Sequence, residues 1–365
     1  MTKLHDLHAV GQSAWLDFIT RNLLDGGGLE RMVESGIRGV TSNPTIFQKA
    51  ITGSDDYDDA IGAALAESPD MSASEMFERL AIADIRRATD VLRPVYDSSS
   101  GADGFVSLEV SPHLAMDTEA TVAEATRLWE TVDRPNLMVK VPATAPGIPA
   151  VEELLARGLN INITLMFSLA DYEAVAHAYL RGLARAANPA SISSVASFFV
   201  SRVDTLTDEM LDKIGTDEAL ALRGKAAVAN AKLAYRRYRE IFEGESFATL
   251  ASEGARPQRV LWASTSTKNP AYHDTMYVDE LIGANTVNTM PPATIDAFED
   301  HGIIDAAAMT RDVDEAQAMV AALADVGVDY DEMTAQLQAE GVAAFADSYD
   351  SLVSAIGDVI AERRS

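Results

Sequence analysis

The residue with the clearest chemical potential is Lys140, in Val139-Lys140-Val141-Pro142 within the apolar, β-branched run Asn136–Ala143. Such a run reads as a strand, and lysine is depleted in strands. The chain has only seven lysines. With a period of two, Leu137, Val139 and Val141 share one face, and Met138 and Lys140 share the other. A lysine walled in by valines loses the solvation of its charge, which favours the neutral amine. A neutral amine is a nucleophile toward a carbonyl carbon. Strand position alone leaves two other outcomes open, a lysine that reaches an edge and one held in a structural ion pair.

Four other apolar segments carry polar residues in the same alternating way. In Phe105–Ser111, Ser107 and Glu109 oppose Val106, Leu108 and Val110. In Asn160–Phe167, Asn162 and Thr164 oppose Ile161, Ile163 and Leu165. Thr41 and Asn43 share one side of Gly39–Asn43, which Pro44 ends by removing a donor. Asp17 closes Trp15-Leu16-Asp17. Five polar rows that include two carboxylates and a lysine are more than a purely structural core would carry, since each buried group would need a partner. Two cations follow later strands. Arg202 ends Ser197-Phe198-Phe199-Val200-Ser201-Arg202, and Lys268 lies in Ser264-Thr265-Ser266-Thr267-Lys268. A cation beside hydroxyls and backbone N–H groups after a late strand suits a substrate phosphate. The alternatives are an ion pair of Arg202 with Asp204 or Asp208, and an exposed loop charge at Lys268.

The elements that must hold these residues alternate. Strands are expected at Trp15–Ile19, Gly39–Asn43, Gly104–Val110, Asn136–Ala143, Asn160–Phe167, Ser191–Val200, Arg259–Thr265 and Thr286–Met290. Helical spacing fills Ala73–Val95, Glu119–Val132, Gly147–Arg157, Leu169–Ala187, Asp217–Phe242 and Tyr272–Ile282. Alternation predicts a parallel sheet, and eight such units predict an α/β fold of the (β/α)8 TIM-barrel type with additional helices. A doubly wound sheet fits less well, because no Gly-rich phosphate turn follows an early strand; Gly26-Gly27-Gly28 follows a helical stretch and reads as a connector. Residues 1–300 are expected to form the catalytic barrel and 301–365 a helical segment packed on it. From Ile295 the chain holds 16 acidic residues against three arginines, the pattern of a solvated helical cap outside the barrel. The basic stretch Arg223–Arg239 reads as a charged outer face, with a partner contact as the alternative.

Composition narrows the partners. With 29 Lys+Arg and 56 Asp+Glu, the net charge is −27 over 365 residues. That disfavours nucleic acid and anionic membrane, which need clustered cations. Zero cysteines exclude disulfides, thiolate nucleophiles and Cys-based metal sites. The six histidines (His5, His8, His113, His177, His273, His301) show no ligand spacing, so no metal is expected. Met1–Phe18 is polar and does not read as a signal peptide, and no apolar run approaches a membrane span. The expectation is a cytoplasmic protein, monomeric or homodimeric.

Gly39-Val-Thr-Ser-Asn-Pro-Thr-Ile-Phe, Ser107-Leu-Glu-Val-Ser-Pro, Asn136-Leu-Met-Val-Lys-Val-Pro-Ala-Thr and Asn160-Ile-Asn-Ile-Thr-Leu-Met-Phe-Ser together resemble the transaldolase family. Trp262-Ala-Ser-Thr-Ser-Thr-Lys-Asn-Pro and Val287-Asn-Thr-Met-Pro extend the resemblance, in order, from about Trp15 to Pro292. The likeness is to the longer bacterial form. It implies a class I enzyme of the pentose phosphate pathway without cofactor or metal, acting on sugar phosphates through a Schiff base. A dihydroxyacetone unit would pass from sedoheptulose 7-phosphate to glyceraldehyde 3-phosphate, giving erythrose 4-phosphate and fructose 6-phosphate. Lys140 matches the Schiff-base lysine, Glu109 the carboxylate that works through a water, and Asp17 the acid/base of carbon–carbon cleavage. Thr41, Asn43, Ser107, Asn162 and Thr164 match residues holding the water and the sugar hydroxyls. Ser197, Phe199, Ser266, Arg202 and Lys268 match the pocket wall and phosphate site. Many members carry arginine where this chain has Lys268.

Three competitors are distinguishable. A fructose-6-phosphate-type aldolase would release free dihydroxyacetone, and relatives of that kind tend to have tyrosine at the position of Glu109. A metal-dependent aldolase or isomerase would need a ligand set. A catalytically inactive sugar-phosphate-binding barrel would have no need of a strand-buried amine.

Overall fold

The computed structural model describes residues 2–364. Eight parallel strands close into a barrel in sequence order: β1 (Gln12–Leu16), β2 (Gly39–Val40), β3 (Phe105–Glu109), β4 (Leu137–Pro142), β5 (Ile161–Met166), β6 (Ser194–Phe199), β7 (Arg259–Ala263) and β8 (Thr286–Met290). Helices pack around them, as the expected (β/α)8 architecture requires. Val139, Val141, Ile161 and Ile163 are fully buried. The aliphatic rows therefore face the surrounding helices, and the polar rows face the barrel axis.

Three departures from the expected elements have physical causes. Strand β1 starts at Gln12, earlier than Trp15, because its two leading polar residues find partners inside the barrel: Gln12 Nε2 donates to Leu281 O at 2.6 Å and to Thr286 Oγ1 at 2.9 Å, and Ser13 Oγ donates to Asp103. Asp17 then falls just past the strand end, although its N–H still donates to Met290 O at 2.8 Å. Strand β2 is only two residues long, because Asn43 caps the helix Pro44–Thr52 and accepts from Ile46 N at 2.9 Å. The single helix expected over Asp217–Phe242 is two, Asp217–Leu220 and Ala226–Phe242. Gly224 separates them with φ +68°, and a Cβ there would lie 2.7 Å from the Tyr272 ring. Only Met276–Asp279 is helical within the expected Tyr272–Ile282.

The acidic end is helical as expected, over Pro292–His301, Val313–Asp325 and Tyr330–Arg364. Its position corrects the picture of a solvated cap outside the barrel. The C-terminal helix Tyr330–Arg364 lies over the carboxyl ends of the strands, where Gln338 Nε2 donates to Ala143 O at 3.1 Å and Leu165 O at 3.2 Å. Its Met333, Leu337, Gly341, Phe345, Leu352, Ile356 and Ile360 are buried at spacings of four and seven residues, and this stripe packs on several elements in turn.

The amino end of the barrel is closed by a polar network. Arg259 Nη2 lies 2.9 Å from Asp103 Oδ1, Arg259 Nη1 donates to Ser13 Oγ at 3.0 Å, and Trp15 Nε1 donates to Asp103 Oδ1 at 3.0 Å. The Trp15 indole fits only because residue 39 is glycine; a Cβ there would approach the ring to 2.5 Å. On the outer surface, Arg236 donates to Gln317, Arg237 pairs with Glu173 and Glu240, and Arg239 pairs with Glu243. Most of the basic stretch is thus a charged outer face paired within the chain, while Lys232 is buried with its Nζ 3.9 Å from Glu280. No helix among the described residues is long and apolar enough to cross a membrane.

Candidate active site

Parallel register brings three of the chemically interesting rows side by side. Glu109 on β3 pairs with Lys140 on β4, and Lys140 pairs with Asn162 on β5. Across the first pair, Lys140 Nζ stands 3.4 Å from Glu109 Oε2, with each side chain 6% exposed. Lys140 Nζ also donates to Ser42 O at 3.4 Å. The edge alternative for Lys140 falls away, since it points into the barrel, whereas the ion-pair alternative is met by Glu109. Burial pushes the Glu109 carboxyl up to about 6, against the attraction of Lys140. Glu109 Oε2 and Thr164 Oγ1 are buried and accept or donate no hydrogen bond among the described residues.

Above this pair opens a cleft of about 830 Å³ at the carboxyl end of the strands. Asp17 enters it from the end of β1. Thr41 donates to Asp17 Oδ1 at 2.6 Å, and its hydroxyl lies 2.7 Å from Thr289 Oγ1. Burial raises the Asp17 carboxyl above its ordinary range, and the Thr41 hydrogen bond and the Lys140 and Lys268 cations oppose that rise. Thr41, Asn43, Thr164, Ser197 and Phe199 line the same cleft. Of the two adjacent rings, Phe199 faces the cleft, while Phe198 packs edge-on against Trp262 at 6.2 Å between centroids. Ser107 and Asn162 lie deeper and are fully buried. Asn162 Nδ2 donates to Ser107 Oγ at 3.0 Å, and Ser197 Oγ donates to Asn162 Oδ1 at 2.6 Å. With Ser197 these residues form a hydrogen-bonded floor that links β3, β5 and β6 around the lysine.

The rim is cationic. Arg202, Ser266 and Lys268 line it, and Lys268 Nζ donates to Ser266 Oγ. The Arg202 guanidinium lies 5.6 Å from the Phe199 ring centroid. The suggested partners of Arg202 are engaged elsewhere: Asp204 accepts from Ala227 N and Tyr277 Oη, and Asp208 accepts from Gly224 N and Tyr272 Oη. Partial burial, with Arg202 and Lys49 nearby, holds Lys268 below the ordinary lysine range. Three positive groups thus converge in a molecule of net charge −27, which suits an anionic group on the ligand.

Several lining residues were not legible in the sequence. Lys49, from the helix after Asn43, had no strand context to mark it. Gln336, Leu337, Glu340 and Phe345 come from the C-terminal helix, some 200 positions beyond Lys140, and all four line the cleft. Chain spacing also missed one surface grouping. His273, Asp274 and His301 place their ligand atoms within 4.8 Å of one another, all three exposed. His113, the histidine near a strand end, is exposed and lies 2.7 Å from Asp350.

Comparison with known proteins gives a consistent result. The family model described as Transaldolase/Fructose-6-phosphate aldolase matches residues 14–356. A protein of Thiobacillus denitrificans named Transaldolase is 51% identical over 357 residues, covering 96% of this chain and 99% of that protein. Proteins of the same name from a Parafrankia species and from Thermobifida fusca are each 48% identical, covering 99% and 98% of both chains respectively.

Proposed function

Since the chain belongs to the transaldolase/fructose-6-phosphate aldolase family, we propose that it transfers a dihydroxyacetone unit between sugar phosphates through a Schiff base on Lys140. The activity is that of a transaldolase, a transferase. The donor is sedoheptulose 7-phosphate and the acceptor glyceraldehyde 3-phosphate. The observation that carries the residue assignment is the buried Lys140–Glu109 pair, 3.4 Å apart at the base of a cleft that Asp17 also enters.

The geometry supports a sequence of steps. Lys140 Nζ adds to the donor's C2 carbonyl once its proton has passed toward Glu109, whose carboxyl near 6 can take and return a proton at neutral pH. Glu109 then supplies the proton that lets the carbinolamine oxygen leave as water, and an iminium remains. Asp17 removes the proton from the C4 hydroxyl as the C3–C4 bond breaks, and the bond's electrons move into the iminium to give an enamine. Thr41 orients the Asp17 carboxylate. The aldose leaves, the acceptor aldehyde takes its place, and the steps reverse. Arg202, Lys268 and Ser266 hold the phosphate. Lysine in place of a second arginine makes one side of that site a point charge rather than a fork.

Borohydride reduction in the presence of fructose 6-phosphate, followed by peptide mass spectrometry, tests the assignment. A three-carbon adduct on the peptide containing Lys140 is expected. An adduct on another lysine, or none on folded protein, overturns it.

A further inference from the structure

The two side chains placed at the bonds that form and break are held by different parts of the molecule. Around Lys140 the C-terminal helix supplies a wall: Nζ lies 5.5 Å from the Phe345 ring centroid. That helix seats on the bulge where β5 slips register against β6 and Leu165 takes φ +58°, and a Cβ at Gly341 would come within 2.9 Å of Leu165 Cδ2. Asp17 is held instead by two hydroxyls in series. Thr41 donates to its Oδ1 at 2.6 Å, and Thr289 Oγ1 lies 2.7 Å from Thr41 Oγ1. A hydroxyl has a single proton to give, so with that of Thr41 directed at the carboxylate, the second contact runs from Thr289 to Thr41. Thr289 is itself fixed. It is 3% exposed, and its carbonyl accepts from Thr265 Oγ1 at 3.0 Å. It also shares a strand pair with Asp17: Thr289 is in register with Trp15, and Asp17 N–H donates to Met290 O at 2.8 Å.

We propose that Thr289 is a positioning residue for carbon–carbon cleavage, acting on Asp17 through Thr41; the proposal rests on the Schiff-base transfer reading above. A hydroxyl that accepts a hydrogen bond donates a stronger one, and donation to a carboxylate favours its charged form. Asp17 needs that support, because its burial favours the neutral acid. Of the charged groups facing it, Lys140 and Lys268 favour the carboxylate, and Glu109 opposes it when ionised. A bound phosphate neutralises Lys268, so the two hydroxyls carry more of the task once the donor is seated. They also fix which oxygen reacts. Oδ1 is engaged, whereas Oδ2 accepts no hydrogen bond among the described residues and is left to take the C4 hydroxyl proton. As that O–H bond breaks, C4 becomes a carbonyl and the C3–C4 electrons pass to the iminium. In the return direction the same proton goes back to the acceptor's oxygen.

The test mixes the full-length protein rapidly with fructose 6-phosphate, quenches with borohydride at successive times, and weighs the peptide containing Lys140. An uncleaved donor leaves a six-carbon adduct and a cleaved one a three-carbon adduct. Thr289→Val should slow conversion of the first into the second about tenfold, the worth of one hydrogen bond to the chain. The six-carbon adduct should still form at the wild-type rate, since Lys140 and Glu109 are untouched, and donor KM should change little. Thr289→Ser, which restores the hydroxyl, should return close to wild type. Thr41→Val should slow cleavage more, and adding Thr289→Val to it should cost nothing further. Equal slowing of adduct formation and cleavage, a rise in donor KM with cleavage unchanged, or additive losses in the double variant would each overturn the proposal. Should Thr289→Val not fold, Thr289→Ala decides on the same readout. Absence of any Lys140 adduct in the wild type defeats the transfer reading, whereas wild-type cleavage in the variants defeats only the role of Thr289.

Discussion

The two ends of the barrel each hold a cation against a carboxylate, and they are built differently. At the amino end, Arg259 and Asp103 meet at 2.9 Å. Asp103 accepts further from Trp15 and Ser13, while Arg259 also donates to Ser13 and Ala102 O. Both carboxylate oxygens are used. At the carboxyl end, Lys140 and Glu109 stand at 3.4 Å, and Glu109 Oε2 and the neighbouring Thr164 Oγ1 have no hydrogen-bond partner among the described residues. A saturated network rigidifies a closed floor. An unsaturated one keeps its groups free to bind and to exchange protons, at a cost in stability that the rest of the fold must offset.

Four substitutions would break or sharpen this contrast. Lys140→Ala should lower turnover by about 10⁴-fold or more, since covalent catalysis has no substitute nucleophile; thermal unfolding should show a folded protein. Wild-type turnover in that variant would remove Lys140 from the chemistry. At the opposite end, Arg259→Met should cost about 3–5 kcal/mol of stability by stranding Asp103 as a buried charge. Denaturant unfolding measures this, and kcat of the folded protein should stay near wild type. If kcat collapses while stability holds, the division between the two ends fails.

Glu109→Gln should reduce turnover by about 10²–10⁴-fold, the usual worth of general acid–base catalysis. It should also erase the acidic limb that wild-type kcat is expected to show near pH 6. The same group has a stability signature of opposite sense. Its folded pKa is raised from 4.5 to about 6 by burial. The stability it contributes is therefore complete below pH 4.5 and is lost as pH rises through about 6, because the folded state holds a proton that the unfolded chain has released. Activity and this contribution should move in opposite directions across that window. Persistence of the limb in Glu109→Gln would assign it to another group. The smallest effect is expected from Arg202→Ala: donor KM should rise about ten- to a hundredfold, the worth of a hydrogen bond to a charged group, with kcat and melting little changed. An unchanged KM would place the phosphate elsewhere.

Much of the site was legible because strand alternation is a local property. Once Val139 and Val141 face the helices, Lys140 must face the axis, and the same parity places Ser107, Glu109, Asn162 and Thr164. It distinguished less well between lining the cleft and supporting it. Ser107 and Asn162 share parity with Glu109 and Thr164, yet they sit one layer lower and bond to each other. Strand β1 was placed late for a related reason: Gln12 and Ser13 look like loop residues until their hydrogen-bond partners across the barrel are known.

The sequence by itself determined the barrel, the inward rows and the likeness of its motifs, because each depends on residues a few positions apart. Only the tertiary structure decided what roofs the site. The acidic, helical pattern after Ile295 is compatible with packing on any part of the barrel's outside. Whether Phe345 meets water or Lys140 depends on where a helix 200 residues downstream comes to rest. Long-range packing set that position, through the Leu165 bulge, the absence of a side chain at Gly341 and the Gln338 hydrogen bonds, and no spacing along the chain encodes it.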